Sequence, residues 1–101
     1  MPTYITLMKL TDQGAKDIKN APNRVRSAVK LWEMLGGKTL GVYLTMGDNG
    51  YVSIGEGPND EAAISFSLTL TSRENVKTTT LRAFTAEAFT EMVKKLLSRV
   101  A

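Results

Sequence analysis

The chain contains no cysteine and no histidine. Without cysteine there are no disulfides, no thiolate nucleophile and no sulfur-ligated metal. Without histidine the usual general base, the usual zinc ligand and the commonest axial haem ligand are missing. Long apolar runs are also absent, and none approaches the ~20 residues that a membrane-spanning helix needs. Met1-Pro2-Thr3-Tyr4 leads straight into a strand pattern, with no charged segment followed by an apolar one. A cytoplasmic protein with no membrane partner is therefore expected. The acids Glu56, Asp60 and Glu61 are scattered and suit a helix start rather than a metal cluster, so no metal is expected. Gly47-Asp48-Asn49-Gly50 lacks the lysine and the strand-to-helix setting of a phosphate loop. No cofactor is expected, and no residue presents itself as catalytic.

What is present is ordinary soluble material. The 101 residues are 43% hydrophobic and 23% charged, enough for one domain with one core. Net charge is +3, with positive side chains gathered at Lys16, Lys19, Arg24, Arg26 and Lys30. These read as a solvated helix face, since a nucleic-acid patch calls for a larger excess.

Residues 3–10 alternate and are rich in strand formers. Thr11-Asp12-Gln13-Gly14 opens a helical region that Pro22 interrupts. From Asn23 to Leu35, Val25, Ala28, Val29, Trp32 and Leu35 recur at helical spacing, and Gly36-Gly37 ends the helix. Strands are expected over Thr39 to Met46 and Tyr51 to Glu56, joined by a hairpin. Two hairpin lengths compete. A three-residue loop, Asp48-Asn49-Gly50 with Gly50 left-handed, pairs Gly47 with Tyr51 and puts Val42, Leu44, Val52 and Ile54 on one face. That register buries the apolar set together and is the one expected. Asn59 or Asp60 caps a helix to about Ser72 with Ala62, Ala63, Phe66 and Leu70 inward. Val76 to Phe84 is a fourth strand. Thr85 caps a last helix whose Phe89, Val93, Leu96 and Val100 face inward.

The order β-α-β-β-α-β plus a helix is the ferredoxin-like pattern, an α+β fold on a four-stranded antiparallel sheet. Helices are expected on the face supplied by Ile5, Leu7, Val42, Leu44, Val52, Ile54, Leu81 and Ala83. The opposite face then carries Tyr4, Tyr43 and Tyr51 with Thr6, Met8, Thr45, Ser53, Thr78 and Thr80, and Arg82 as its only charge. An open face normally carries Lys and Glu, so a second copy of the chain or a ligand should cover this one.

Several segments resemble the GYD domain family, small bacterial and archaeal proteins of unassigned function. They are Pro2-Thr3-Tyr4-Ile5-Thr6-Leu7, Thr45-Met46-Gly47, Pro58-Asn59-Asp60-Glu61-Ala62-Ala63 and the stretch from Asn75 to Phe84. The resemblance covers nearly the whole chain as a single domain. It implies a subunit of the dimeric α+β-barrel kind, in which two sheets pack face to face. The motif that names the family departs: its Gly-x-Tyr-Asp reads Gly47-Asp48-Asn49-Gly50 here. If the Tyr-Asp pair does chemistry in relatives, this chain has lost it; if it shapes the hairpin, Asn-Gly is a competent substitute.

The candidate ligand-binding residues are Tyr4, Tyr43, Tyr51, Thr80 and Arg82. Arg82 could hold a carboxylate bidentately, pair with an acid of a second subunit, or simply reach out to water. The tyrosines could orient a small aromatic or anionic ligand, as in some cofactor-free enzymes of the superfamily, or pack across a dimer interface. A small cavity is expected where the helices meet the sheet or between subunits. The expected role is a homodimeric small-molecule-binding or accessory module. A cofactor-independent enzyme of oxygenase or isomerase type is the alternative. An RNA-binding reading of Gly50-Tyr51-Val52-Ser53-Ile54 lacks the preceding basic residue and the later aromatics that RRM domains carry.

Overall fold

The computed structural model describes residues 1–47, 50–73 and 76–100, the last without its side chain. The elements are β1 (Thr3–Leu10), α1 (Asp12–Lys16), a 3-10 turn (Ile18–Asn20), α2 (Ala21–Met34), β2 (Lys38–Leu44), β3 (Tyr51–Glu56), α3 (Asp60–Arg73), β4 (Val76–Ala83) and α4 (Ala86–Val100). The four strands form one antiparallel sheet in the order β2-β3-β1-β4. This is the expected ferredoxin-like α+β order with a C-terminal helix. The break before α2 also falls as expected. Pro22 sits in the first turn of α2, where its missing N–H removes no helical hydrogen bond. Gly36, at φ 90°, closes the other end of the helix, with the Gly37 N–H donating to Trp32 O at 2.8 Å.

The expected hairpin register is not formed. Leu44, not Gly47, pairs with Tyr51, and the Thr45 N–H donates to Gly50 O at 3.1 Å. The connection therefore runs through residues 46–49, of which Asp48 and Asn49 lie outside the described residues. Gly47 is its positive-φ glycine, at 94°. Val42 and Leu44 consequently share a face with Ser53 and Tyr51, while Tyr43 lies beside Val52 on the other.

The expected assignment of the sheet faces is inverted. Along β1, Tyr4, Thr6 and Met8 are buried while Ile5 and Leu7 are half-exposed. The helices lie on the tyrosine and threonine face. Trp32 of α2 and Phe66 and Leu70 of α3 pack there against Tyr4 and Met8 of β1 and Val76 of β4. Ser67 and Thr71, one turn apart on α3, meet Thr80 and Thr78 of β4 through hydroxyl hydrogen bonds, the second at 3.2 Å. Ile5, Leu7, Val52, Ile54 and Leu81 form the opposite face, away from α2 and α3.

Arg24 does not belong to a solvated face. Its guanidinium donates to Asp17 Oδ2 at 2.9 Å, Asp17 O at 3.1 Å and Gly14 O at 3.3 Å, and its side chain is only 16% exposed. It fastens α1 and the 3-10 turn to α2. At the other end of the chain, Thr85 caps α4 as expected, its Oγ1 accepting from the Ala88 N–H at 3.0 Å. Among the described residues the expected inward stripe of α4 is largely uncovered: Phe89 and Leu96 are 63% and 60% exposed. The side chain of Val100 lies outside the described residues.

Trp32 sits in a slot that three glycines leave open. A Cβ on Gly57 would fall 2.5 Å from the indole, one on Gly55 2.7 Å from its Nε1, and one on Gly37 would also collide with the ring. Gly57→Ala and Gly55→Ala should each destabilise the fold by about 1–3 kcal/mol through overpacking. That corresponds to a Tm lower by roughly 4–20 °C for a domain of this size, measured by thermal unfolding. An unchanged Tm for both variants would show that the indole is not held as described.

Candidate functional site

Four of the five expected site residues share one face, and it is the face beneath the helices. Cα pairing puts Tyr4 beside Arg82, Thr6 beside Thr80 and Met8 beside Tyr51. Tyr43 is on the opposite face and 58% exposed. The Thr80 hydroxyl is engaged with Ser67. The three tyrosines therefore do not converge on one surface.

Tyr4, Asp60 and Arg82 meet at the end of the sheet where α3 begins. Asn59 caps α3, its Oδ1 accepting from the Ala62 N–H at 2.9 Å, which places Asp60 in the first turn. The positive end of the helix favours a carboxylate there. Asp60 Oδ1 accepts the Tyr4 hydroxyl proton at 2.6 Å, and Arg82 Nη1 lies 3.5 Å from the same oxygen. The Arg82 guanidinium also lies 5.8 Å from the centroid of the Tyr4 ring and 5.4 Å from that of Phe84. The acid that Arg82 meets thus comes from its own chain. Both ion-pair partners are substantially exposed, so this contact contributes at most about 1 kcal/mol.

Burial raises the pKa of the Tyr4 phenol above its ordinary 10.0, and the hydrogen bond to Asp60 and that carboxylate's charge raise it further; the charge of Arg82 works in the opposite direction. Tyr4 is consequently a hydrogen-bond donor and not a base at neutral pH. Sequence reasoning missed Asp60 as its partner, having assigned that residue to helix capping alone. The signal was the acidic first turn of α3, which a ferredoxin-like crossover returns to the start of β1.

Between α2, α3 and the sheet lies a cavity of about 50 Å³, lined among others by Tyr4, Thr6, Trp32, Tyr51, Ser53 and Phe66. It lies at the helix-to-sheet boundary, one of the two places where a cavity is expected, and is large enough for a few waters. Among the described residues no cluster of acids could hold a metal ion. Among the described residues no helix is long and apolar enough to cross a membrane.

Because the folded state holds Tyr4 as the neutral phenol, its contribution to stability is complete below pH 10 and is lost as the pH rises through the raised folded-state value. Wild-type protein should therefore lose stability above about pH 10 more steeply than Tyr4→Phe. Urea unfolding at pH 8, 10 and 11 checks this, and parallel pH profiles for the two proteins would contradict it.

Residues 4–93 match the GYD domain. The glutamine synthetase and cystathionine beta-lyase binding protein of Thermus thermophilus is 33% identical over 84 residues, which cover 82% of this chain and 88% of that protein. Among solved structures, TTHA0845 from Thermus thermophilus aligns with a TM-score of 0.55 at 24% identity, over 85% of this chain and 96% of that one. The leucine response regulatory protein LrpA of Mycobacterium tuberculosis also gives 0.55, at 14% identity, over 84% of this chain and 51% of its own. The chain thus spans about half the length of LrpA. At these identities the two structures establish a shared fold. With the family match running through nearly all of β1 to α4, this chain belongs to the GYD domain family.

Proposed function

We propose that the chain is an accessory module that binds other proteins and works in the cytoplasm as a homodimer, closed through the apolar face of its sheet. The observation that carries this reading is the uncovered set Ile5, Leu7, Val52, Ile54 and Leu81, flanked by exposed Tyr43. A contiguous apolar patch of this kind marks an interaction surface. The relative whose name describes binding to glutamine synthetase and cystathionine β-lyase supports protein partners, metabolic enzymes in particular. The dimer face is the reverse of the one expected from sequence, because the tyrosine face already has α2 and α3 on it.

A small-molecule role is the second reading, and the cavity beside Tyr4, Thr6, Tyr51 and Ser53 favours it. In that reading the cavity takes a small polar ligand, and an anion would compete with Asp60 for Arg82. A cofactor-independent enzyme would use the same residues, with Tyr4 donating a hydrogen bond. RNA binding through a sheet needs stacking aromatics on the open face, where Tyr43 is the single tyrosine.

Light scattering at micromolar concentration should give twice the chain mass, with an interface on the order of 1,200–2,000 Å² in total. Val52→Lys, on the open face, should yield folded monomer, whereas Tyr51→Phe, on the helix side, should leave the dimer intact. Purified glutamine synthetase or cystathionine β-lyase from the same organism should co-elute with the dimer in gel filtration. A wild-type monomer at high concentration removes the dimer, and failure to co-elute with either enzyme removes these partners.

A further inference from the structure

The cavity beneath α2 holds polar groups that the fold itself does not use. Along α2 only Ala21 and Trp32, near its two ends, are buried. These two residues stand about 16 Å apart along the helix axis. Between them Val25, Ala28 and Val29 are half-buried and line the cavity from above. The indole holds one end of the helix and the Arg24 contacts hold the other, and the short side chains between leave a space over the sheet.

The floor of that space carries hydroxyls. Thr6 of β1, Thr39 of β2, and Tyr51 and Ser53 of β3 all line it, and none of their side chains is hydrogen-bonded among the described residues. Thr6 is 4% exposed. No side-chain oxygen of the described residues is both sealed in and without a partner, so the Thr6 hydroxyl faces the cavity. A hydroxyl removed from bulk water needs a partner, and here the cavity's occupant has to supply it. Charge is nearly lacking. Arg24 is the single charged residue lining the cavity, and its guanidinium is taken by Asp17 and the Gly14 carbonyl. Arg82 and Asp60 do not line it. A charged occupant would leave water without gaining a counter-ion. Size sets a further limit: the cavity measures about 50 Å³, room for about three or four waters, where a cavity that takes benzene has about 150 Å³.

We propose that this cavity binds a small uncharged molecule of about four or five non-hydrogen atoms, with a hydrogen-bonding head of the primary-amide kind. Thr6 and Ser53 are direct cross-strand partners, so their side chains stand next to one another on the cavity floor. Each hydroxyl donates and accepts, and the pair matches the adjacent oxygen and NH₂ of an amide. The short apolar end then lies under Ala28 and Val29. This inference rests on the small-molecule reading above and narrows it, since the anion that Arg82 would attract has no counter-charge in the cavity.

The test compares propanamide with propionate, which has the same size but is charged at neutral pH. The single tryptophan lines the cavity, so its emission, together with the NMR methyl shifts of Ala28 and Val29, reports occupancy of the full chain. Propanamide should shift both signals and saturate in the millimolar range, as expected for so few atoms. Propionate should bind at least about tenfold more weakly. Thr6→Val keeps the side-chain shape and should weaken propanamide roughly three- to tenfold. It should leave the Tm of the free protein unchanged or higher, because the hydroxyl it removes has no partner in the chain. Ser53→Ala makes the same test at a half-buried position and should give the same two results. Lower Tm in both variants with unchanged propanamide affinity marks the hydroxyls as structural and overturns the inference. Propionate binding as tightly as propanamide, and losing that affinity in Arg82→Ala, also overturns it while leaving a small-molecule role at the strand ends. If neither compound moves either signal, the cavity holds ordered water only, and the small-molecule reading falls with the inference.

Discussion

The fold turns on the burial of one indole. Trp32 is carried by α2 into the layer above the sheet, where it meets Tyr4 edge-on, with ring centroids 6.1 Å apart, and Phe66 at 5.2 Å. Its Nε1 donates to Lys38 O at 3.3 Å, which ties α2 to the start of the next strand. The ring lies so close to the backbone at Gly37, Gly55 and Gly57 that no side chain fits there. This single contact joins α2, α3, β1 and the strand entry and exit of the hairpin. It also sets the distance at which α2 rides over the sheet.

That distance explains why the sheet buries its less apolar face. Trp32, Phe66 and Leu70 enter the core from the helix side and meet Tyr4, Met8 and Val76 of the strands, beside which Thr6, Thr78 and Thr80 lie on the same sheet face. Thr78 and Thr80 then satisfy Ser67 and Thr71 across the interface. Ile5, Leu7, Val52, Ile54 and Leu81 are relieved of any role in the monomer core and become available to another surface. Apolar area buried against a partner contributes as much per unit area as area buried within the chain.

The polar cluster at the end of the sheet follows from the same geometry. Tyr4 is long enough to pass beneath Trp32 and reach the first turn of α3, where its hydroxyl donates a hydrogen bond to Asp60 at 2.6 Å. Arg82 joins from the neighbouring strand because Tyr4 and Arg82 are cross-strand partners. The cluster locks α3 onto the strand ends, as Arg24 locks the α1 region onto α2. Both arginines find their acids within the chain, so neither begins as an empty anion site.

The element order, the break at Pro22, the stop at Gly36, the caps at Asn59 and Thr85 and the family resemblance were all legible in the sequence. Each depends on residues a few positions apart, or on a local motif. The division of β1 into two faces, one with Tyr4, Thr6 and Met8 and one with Ile5 and Leu7, was legible too, because side chains alternate along a strand whatever lies above it. Which face the helices would take was not. Two faces of similar size competed for them, and rings from α2 and α3, distant in sequence, decided the outcome by volume and hydroxyl pairing. The register of β2 against β3 was likewise beyond local reading. A connection through residues 46–49 moves Leu44 opposite Tyr51 and puts Tyr43 on the face away from Tyr4 and Tyr51. The partnership of Tyr4 with Asp60 spans 56 positions and exists only once α3 has crossed back over the sheet. Local chemistry determined the elements; packing between distant elements decided which surfaces were consumed in the core and which were left uncovered.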